Sequence, residues 1–103
     1  MKRIRELAKE LIDHIDEMTE LLYQNKEKEG YELLNGFIVN METLIGEISS
    51  YQAQEQKKVV DEEKLLGTVG EAFSAMQEND IVLLADIFSY DIKEQLEQIL
   101  EAE

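Results

Sequence analysis

Ile4, Ala8, Leu11, Ile15, Met18 and Leu22 follow one another at steps of 4, 3, 4, 3 and 4, the spacing that keeps one stripe of an α-helix turned inward. Tyr31, Leu34, Ile38, Met41, Ile45 and Ile48 repeat the beat at steps of 3, 4, 3, 4 and 3. No proline occurs in 103 residues, so nowhere does a missing N–H interrupt the helical ladder. Such a chain must lay helices side by side to cover their apolar stripes. The expected fold is all-α, an antiparallel up-down-up-down four-helix bundle.

The breaks are marked by polar residues. Helices are expected over about 2–24, 27–52, 61–78 and 80–100, in a single domain covering residues 1–103. Asn25-Lys26 ends the first, since asparagine tolerates the left-handed conformation common at helix ends. The second helix starts at Glu27 or just after Gly30, and the pattern does not choose between them. Residues 53–60, AQEQKKVV, carry the next connection. Asp61 is placed to cap the third helix, with Glu62 and Glu63 complementing its dipole and Val60 and Leu65 forming a staple. Its inward stripe is Leu65 or Leu66, Val69, Ala72 or Phe73, and Met76. Asn79-Asp80 makes a short turn, with Asp80 capping the fourth helix.

Charge narrows the partners. The net charge is −14, and residues 61–103 hold twelve acidic groups against only Lys64 and Lys93. Binding to nucleic acid or an anionic membrane is disfavoured by that field. The amino end, MKRIREL, lacks the unbroken apolar run of a secretory signal. The longest apolar run elsewhere, Ile81–Ala85, is five residues, against the roughly 20 that a membrane helix needs. A cytoplasmic location is expected, and the absence of cysteine fits a reducing compartment.

Side chains capable of chemistry are sparse. His14 is the sole histidine, and with Glu10 and Glu17 it falls short of a zinc set. The Glu-x-x-His pairs of di-iron bundles are missing. It reads as a surface or boundary residue. Asp86 and Asp91 interrupt the apolar phrase IVLLADIFSYDI, where Lys93 or Tyr90 would partner a buried carboxylate. Otherwise they sit on the narrow polar strip of that helix. Gly67-Thr68-Val69-Gly70 lacks the context of a phosphate loop. Interior glycines cost about 1 kcal/mol each against alanine, so Gly36, Gly46, Gly67 and Gly70 imply close helix approach or a groove. No catalytic residue, metal or cofactor is expected.

The functional clue is a surplus of apolar residues. Leu7, Leu21, Leu33, Phe37, Leu44 and Tyr51 flank the stripes of the first two helices, and Leu83, Ile87 and Tyr90 form a second line on the fourth. They widen the core or mark an interface. The candidate interaction surface is Leu83, Ile87, Tyr90, Phe37 and Tyr51.

Asn79-Asp80-Ile81-Val82-Leu83-Leu84-Ala85-Asp86-Ile87-Phe88-Ser89-Tyr90-Asp91-Ile92 resembles a phrase of small helical proteins of Firmicutes, N-D-x-V-L-L-A-D followed by a hydrophobic residue, x-x-Tyr and an acid. Gly30-Tyr31-Glu32-Leu33-Leu34-Asn35 resembles part of their second helix. The resemblance implies a bacterial cytosolic helical bundle with no catalytic residues to carry over. Similar segments accompany motility-associated proteins. The leading expectation is a non-enzymatic protein-binding bundle, an adaptor or small chaperone, with self-association as a homodimer one form of it. The alternative is a carboxylate-lined bundle that binds a metal or small ligand.

In an up-down-up-down bundle, Lys2, Arg3 and Arg5 meet Glu94, Glu97, Glu101 and Glu103, each set offsetting the unfavourable dipole placement of the other. Reversing all three cations to glutamate is expected to lower the melting temperature, read by circular dichroism. An unchanged melt rejects the pairing.

Overall fold

The computed structural model describes residues 1–102. α1 (Lys2–Tyr23) and α2 (Glu27–Glu55) form the first hairpin, and α3 (Glu62–Gln77) follows a six-residue link. The last rod begins as α4 (Ile81–Asp86), passes through a π-helical stretch (Ile87–Ile92), and ends as α5 (Lys93–Glu101). Dihedrals stay right-handed helical at Asp86, Ile87, Ile92 and Lys93, so these three pieces make one continuous fourth helix. The result is an all-α four-helix bundle.

Cross-helix contacts give the directions. Arg5, Asp16 and Tyr23 of the first hairpin arm meet Ala102, Lys93 and Asp86 in turn, so α1 runs opposite to the fourth helix. Arg3 pairs with Glu47 while Gly30 lies against Leu22, so α2 also runs opposite to α1. Thr68 meets Gln95, with the turn at Asn79 joining the same two helices.

Both tight turns use the same device. Asn25 and Asn79 take left-handed conformations with φ of 60° and 56°. Lys26 N–H then donates to Leu21 O, and Asp80 N–H to Ala75 O, each at 2.9 Å. This is the helix-ending motif whose amide bonds back to the preceding turn. Asp61 and Asp80 cap the helices that follow, accepting from Lys64 N and Leu83 N. α2 begins at Glu27 and runs three residues beyond the expected end, where left-handed Gln56 stops it.

All six residues of the α1 stripe are buried. In α2 the stripe is rotated from its expected position. Phe37 and Leu44, read as surplus, lie in the core at 2% and 0% exposure, whereas Ile38 and Ile45 are only partly buried. The π-helical stretch packs against both α1 and α3 and buries Ile87, Phe88 and Ile92.

The expected pairing of chain ends is altered in detail. Arg5 donates to the backbone carbonyl of Ala102 rather than to a carboxylate, a favourable place for a cation because that helix end carries partial negative charge. Arg3 is paired instead with Glu47 of α2 at 3.4 Å. Glu103 lies outside the described residues.

Close approach explains one glycine only. A Cβ at Gly30 would sit 2.6 Å from Leu22 Cδ2, where α1 and α2 converge. Around Gly36, Gly46, Gly67 and Gly70 nothing lies within 4 Å of the Cβ direction, which corrects the expectation of close helix approach there, while Gly36 and Gly67 line surface recesses. Gly46→Ala and Gly70→Ala are therefore expected to stabilise the fold by about 0.5–1 kcal/mol each. Gly30→Ala is expected to destabilise it by about 1–3 kcal/mol through overpacking. Chemical denaturation checks both signs.

Candidate functional site

α1 packs against α2 and the fourth helix, and α3 packs against the fourth helix. α2 and α3 approach each other at the end where their link closes. There Gln52 is the fastening. Its Oε1 accepts from Val59 N at 2.7 Å and Val60 N at 3.1 Å, while its Nε2 donates to Glu62 Oε1 at 2.6 Å. Ser49 adds a bond to Glu62 Oε2 at 2.9 Å. These bonds hold the link, α2 and α3 together, and Val59 and Val60 tuck beneath them as buried residues.

Beyond that end the two helices stand apart, and a cleft of about 220 Å³ opens between them. The α2 wall is Leu34, Ile38, Met41 and Ile45; the α3 wall is Leu66, Val69, Phe73 and Met76. Leu84, Phe37 and Phe88 form the floor. The two phenylalanines meet edge to face, with centroids 5.2 Å apart and planes at 83°, the arrangement that brings ring edge to ring face. Glu42 is the single charged side chain among the described lining residues. Toward the other end the cleft continues into an open recess bounded by Tyr31, Asn35 and Asn79.

The α3 doublets explain this surface. Leu65 and Ala72 enter the core at 1% and 3% exposure, while their neighbours Leu66 and Phe73 remain 51% and 38% exposed. Adjacent residues are about 100° apart on a helix, so the doublets supply one residue to the core and one to the cleft. Reading each doublet as a single core position leaves the cleft unseen.

The five interaction candidates from sequence do not form one patch. Leu83 and Tyr90 are exposed on the fourth helix, Tyr51 is partly buried, and Ile87 and Phe37 are buried. Burial corrects the placement of Ile87 and Phe37 on an accessible surface, though Phe37 does reach the cleft floor.

Other polar features stand apart from the cleft. His14 and Asp91 are exposed, and Asp86 is partly exposed. Asp86 accepts from the Tyr23 hydroxyl, and Lys93 pairs with Asp16 at 2.8 Å; neither Asp86 nor Asp91 is a buried carboxylate, and both lie on the polar strip of the fourth helix. A second, polar recess is lined by Lys64, Thr68, Glu71, Asp91, Glu94 and Gln95. Gln95 Nε2 donates to Thr68 Oγ1 at 3.0 Å, and its buried Oε1 has no partner. Among the described residues, no three His, Cys, Asp or Glu side chains gather in a metal-holding group. Nor is any described helix long and apolar enough to cross a membrane.

Desolvation first, then the bond to Asp86, pushes the Tyr23 phenol above its ordinary 10.0. The hydrogen bond from Lys93 to Asp16 raises that ammonium above its ordinary 10.5, against a smaller desolvation effect. Both groups hold their proton more tightly when folded. Their contribution is complete below the ordinary values and is lost as pH rises through the raised ones. Tyr23→Phe is expected to cost about 0.5 kcal/mol at neutral pH, the low end for an exposed hydrogen bond. The difference from wild type should shrink above about pH 10. Denaturation at neutral and alkaline pH checks this, and a constant difference rejects it.

Residues 1–102 match the model of a domain of unknown function, DUF8042, and the chain belongs to that family. No curated protein and no solved structure matches it.

Proposed function

We propose that this protein is a non-enzymatic protein-binding bundle whose docking surface is the cleft between α2 and α3. The observation that carries the reading is the cleft itself, an apolar trough with Leu66 and Phe73 left substantially in water. Contiguous apolar surface of this kind favours contact with another apolar face. Its walls are regular helices tied at one end by Gln52 and Glu62, a rigid frame suited to receiving a segment from outside. Adaptor or small chaperone is the form this takes. The Firmicutes resemblance of the fourth-helix phrase supports a bacterial cytosolic setting, and its motility association supports a role beside such machinery.

Introducing a photo-crosslinking residue at Leu66 in cells is expected to give a discrete crosslinked species. The same residue at Tyr90, exposed at 68% away from the cleft lining, is expected to give none. Crosslinking from Tyr90 with silence at Leu66 overturns the assignment and moves the contact to the fourth helix.

A further inference from the structure

The cleft's occupant can be specified further, on the footing that the cleft is a docking surface. The geometry points to a cationic amphipathic helix of another protein, laid along the α2–α3 trough with its apolar side chains inserted and its lysines or arginines toward Glu42 and the surrounding acidic surface.

Length comes first. The α2 wall runs from Leu34 to Ile45 and the α3 wall from Leu66 to Met76, about 15–17 Å each at the helical rise. A guest helix of about three turns matches that span. A cleft of about 220 Å³ holds a few anchoring side chains rather than a whole helix. The guest therefore lies across the mouth, with anchors at i, i+3 or i+4, and i+7, the pattern of helix-in-groove recognition.

Charge then selects the guest. α2 carries six acidic residues and one basic, and α3 three and one, but Glu47 pairs with Arg3, Glu62 is held by Ser49 and Gln52, and Glu71 lines the polar recess. Glu42 lines the cleft, while no lysine or arginine does. Lys57 and Lys58 lie in the link at the closed end. A guest with cations flanking its apolar stripe meets Glu42 at the cleft and the field of a chain carrying −14, which favours encounter and register.

The same charges disfavour a second copy of this chain. A two-fold interface sets each patch against itself, bringing Glu42 toward its own equivalent. Each copy carries −14. An acidic or neutral guest gains the apolar contact but not the electrostatic one.

The test uses two fluorescein-labelled synthetic helical peptides, about 14 residues long, with identical leucine stripes. One carries lysine at the remaining positions, the other glutamate. Fluorescence anisotropy with the full chain at about 50 mM salt is expected to show the lysine peptide binding at least tenfold more tightly. Leu66→Gln is expected to weaken it about tenfold without changing protein charge, with Phe73→Gln an independent second cleft variant. Glu42→Gln should weaken it about threefold, and the exposed α1 variant Glu20→Gln should leave it unchanged.

Equal binding of both peptides, still sensitive to Leu66→Gln, overturns the cationic guest and leaves the docking cleft standing. Lysine-peptide binding insensitive to both cleft variants overturns the cleft as its seat, and with it the docking reading. A dimer in light scattering that Leu66→Gln dissolves names a second copy as the occupant and overturns the inference in favour of self-association.

Discussion

The apolar stripe of α1 is the constraint on which the other helices depend. Its residues from Ile4 to Leu22 are almost wholly removed from water, and the helix packs against both α2 and the fourth helix. α3 packs instead on the fourth helix. Three neighbouring pairs are therefore well fastened, while the fourth, α2 and α3, meets at its linked end. The cleft follows from that unequal division of contacts. A symmetric bundle would have turned Ile38, Ile45, Leu66 and Phe73 into core.

Two local features keep the unequal arrangement in place. Gln52 satisfies the amides of Val59 and Val60 while binding Glu62, so the link has a fixed path across the bundle end. Unpaired amides at that depth would cost about 1–3 kcal/mol each. On the cleft floor, Phe37 and Phe88 occupy the space into which α2 and α3 would have to move. Phe88 belongs to the π-helical stretch, whose wider turn departs from the regular helical repeat. That stretch buries Ile87 and Phe88 side by side, so the fourth helix fills space beneath α2 and α3 that a narrower apolar stripe would leave to them.

The sequence made the helical class legible because α1 presents one clean stripe, and because Asn25, Asp61, Asn79 and Asp80 punctuate the chain by ordinary capping chemistry. The cleft was hidden in α2 and α3, where apolar residues occupy more than one stripe. Phe37 beside Ile38, and Leu44 beside Ile45, satisfy equally good periodic patterns. Periodicity registers that a side chain is apolar but not which neighbouring helix exists to cover it. The doublets Leu65-Leu66 and Ala72-Phe73 were the available signal for a helix with two apolar jobs. Gln52 offered none, since its role arises from a long-range arrangement of the link. The interaction candidates on the fourth helix were drawn from true surplus there, yet Ile87 was absorbed by the π-helical stretch and Leu83 and Tyr90 line none of the cleft.

Leaving apolar walls open has a cost that the charge distribution helps to contain. Exposed Leu66 and Phe73 would invite association between copies, but each copy brings Glu42 at the cleft and a net charge of −14. Like charge raises the energy of bringing two such faces together, while buried apolar area lowers it for any guest that fits. A cation-bearing guest escapes the repulsion and gains attraction instead. In the proposed function, one acidic surface thus both opposes self-association and selects the partner.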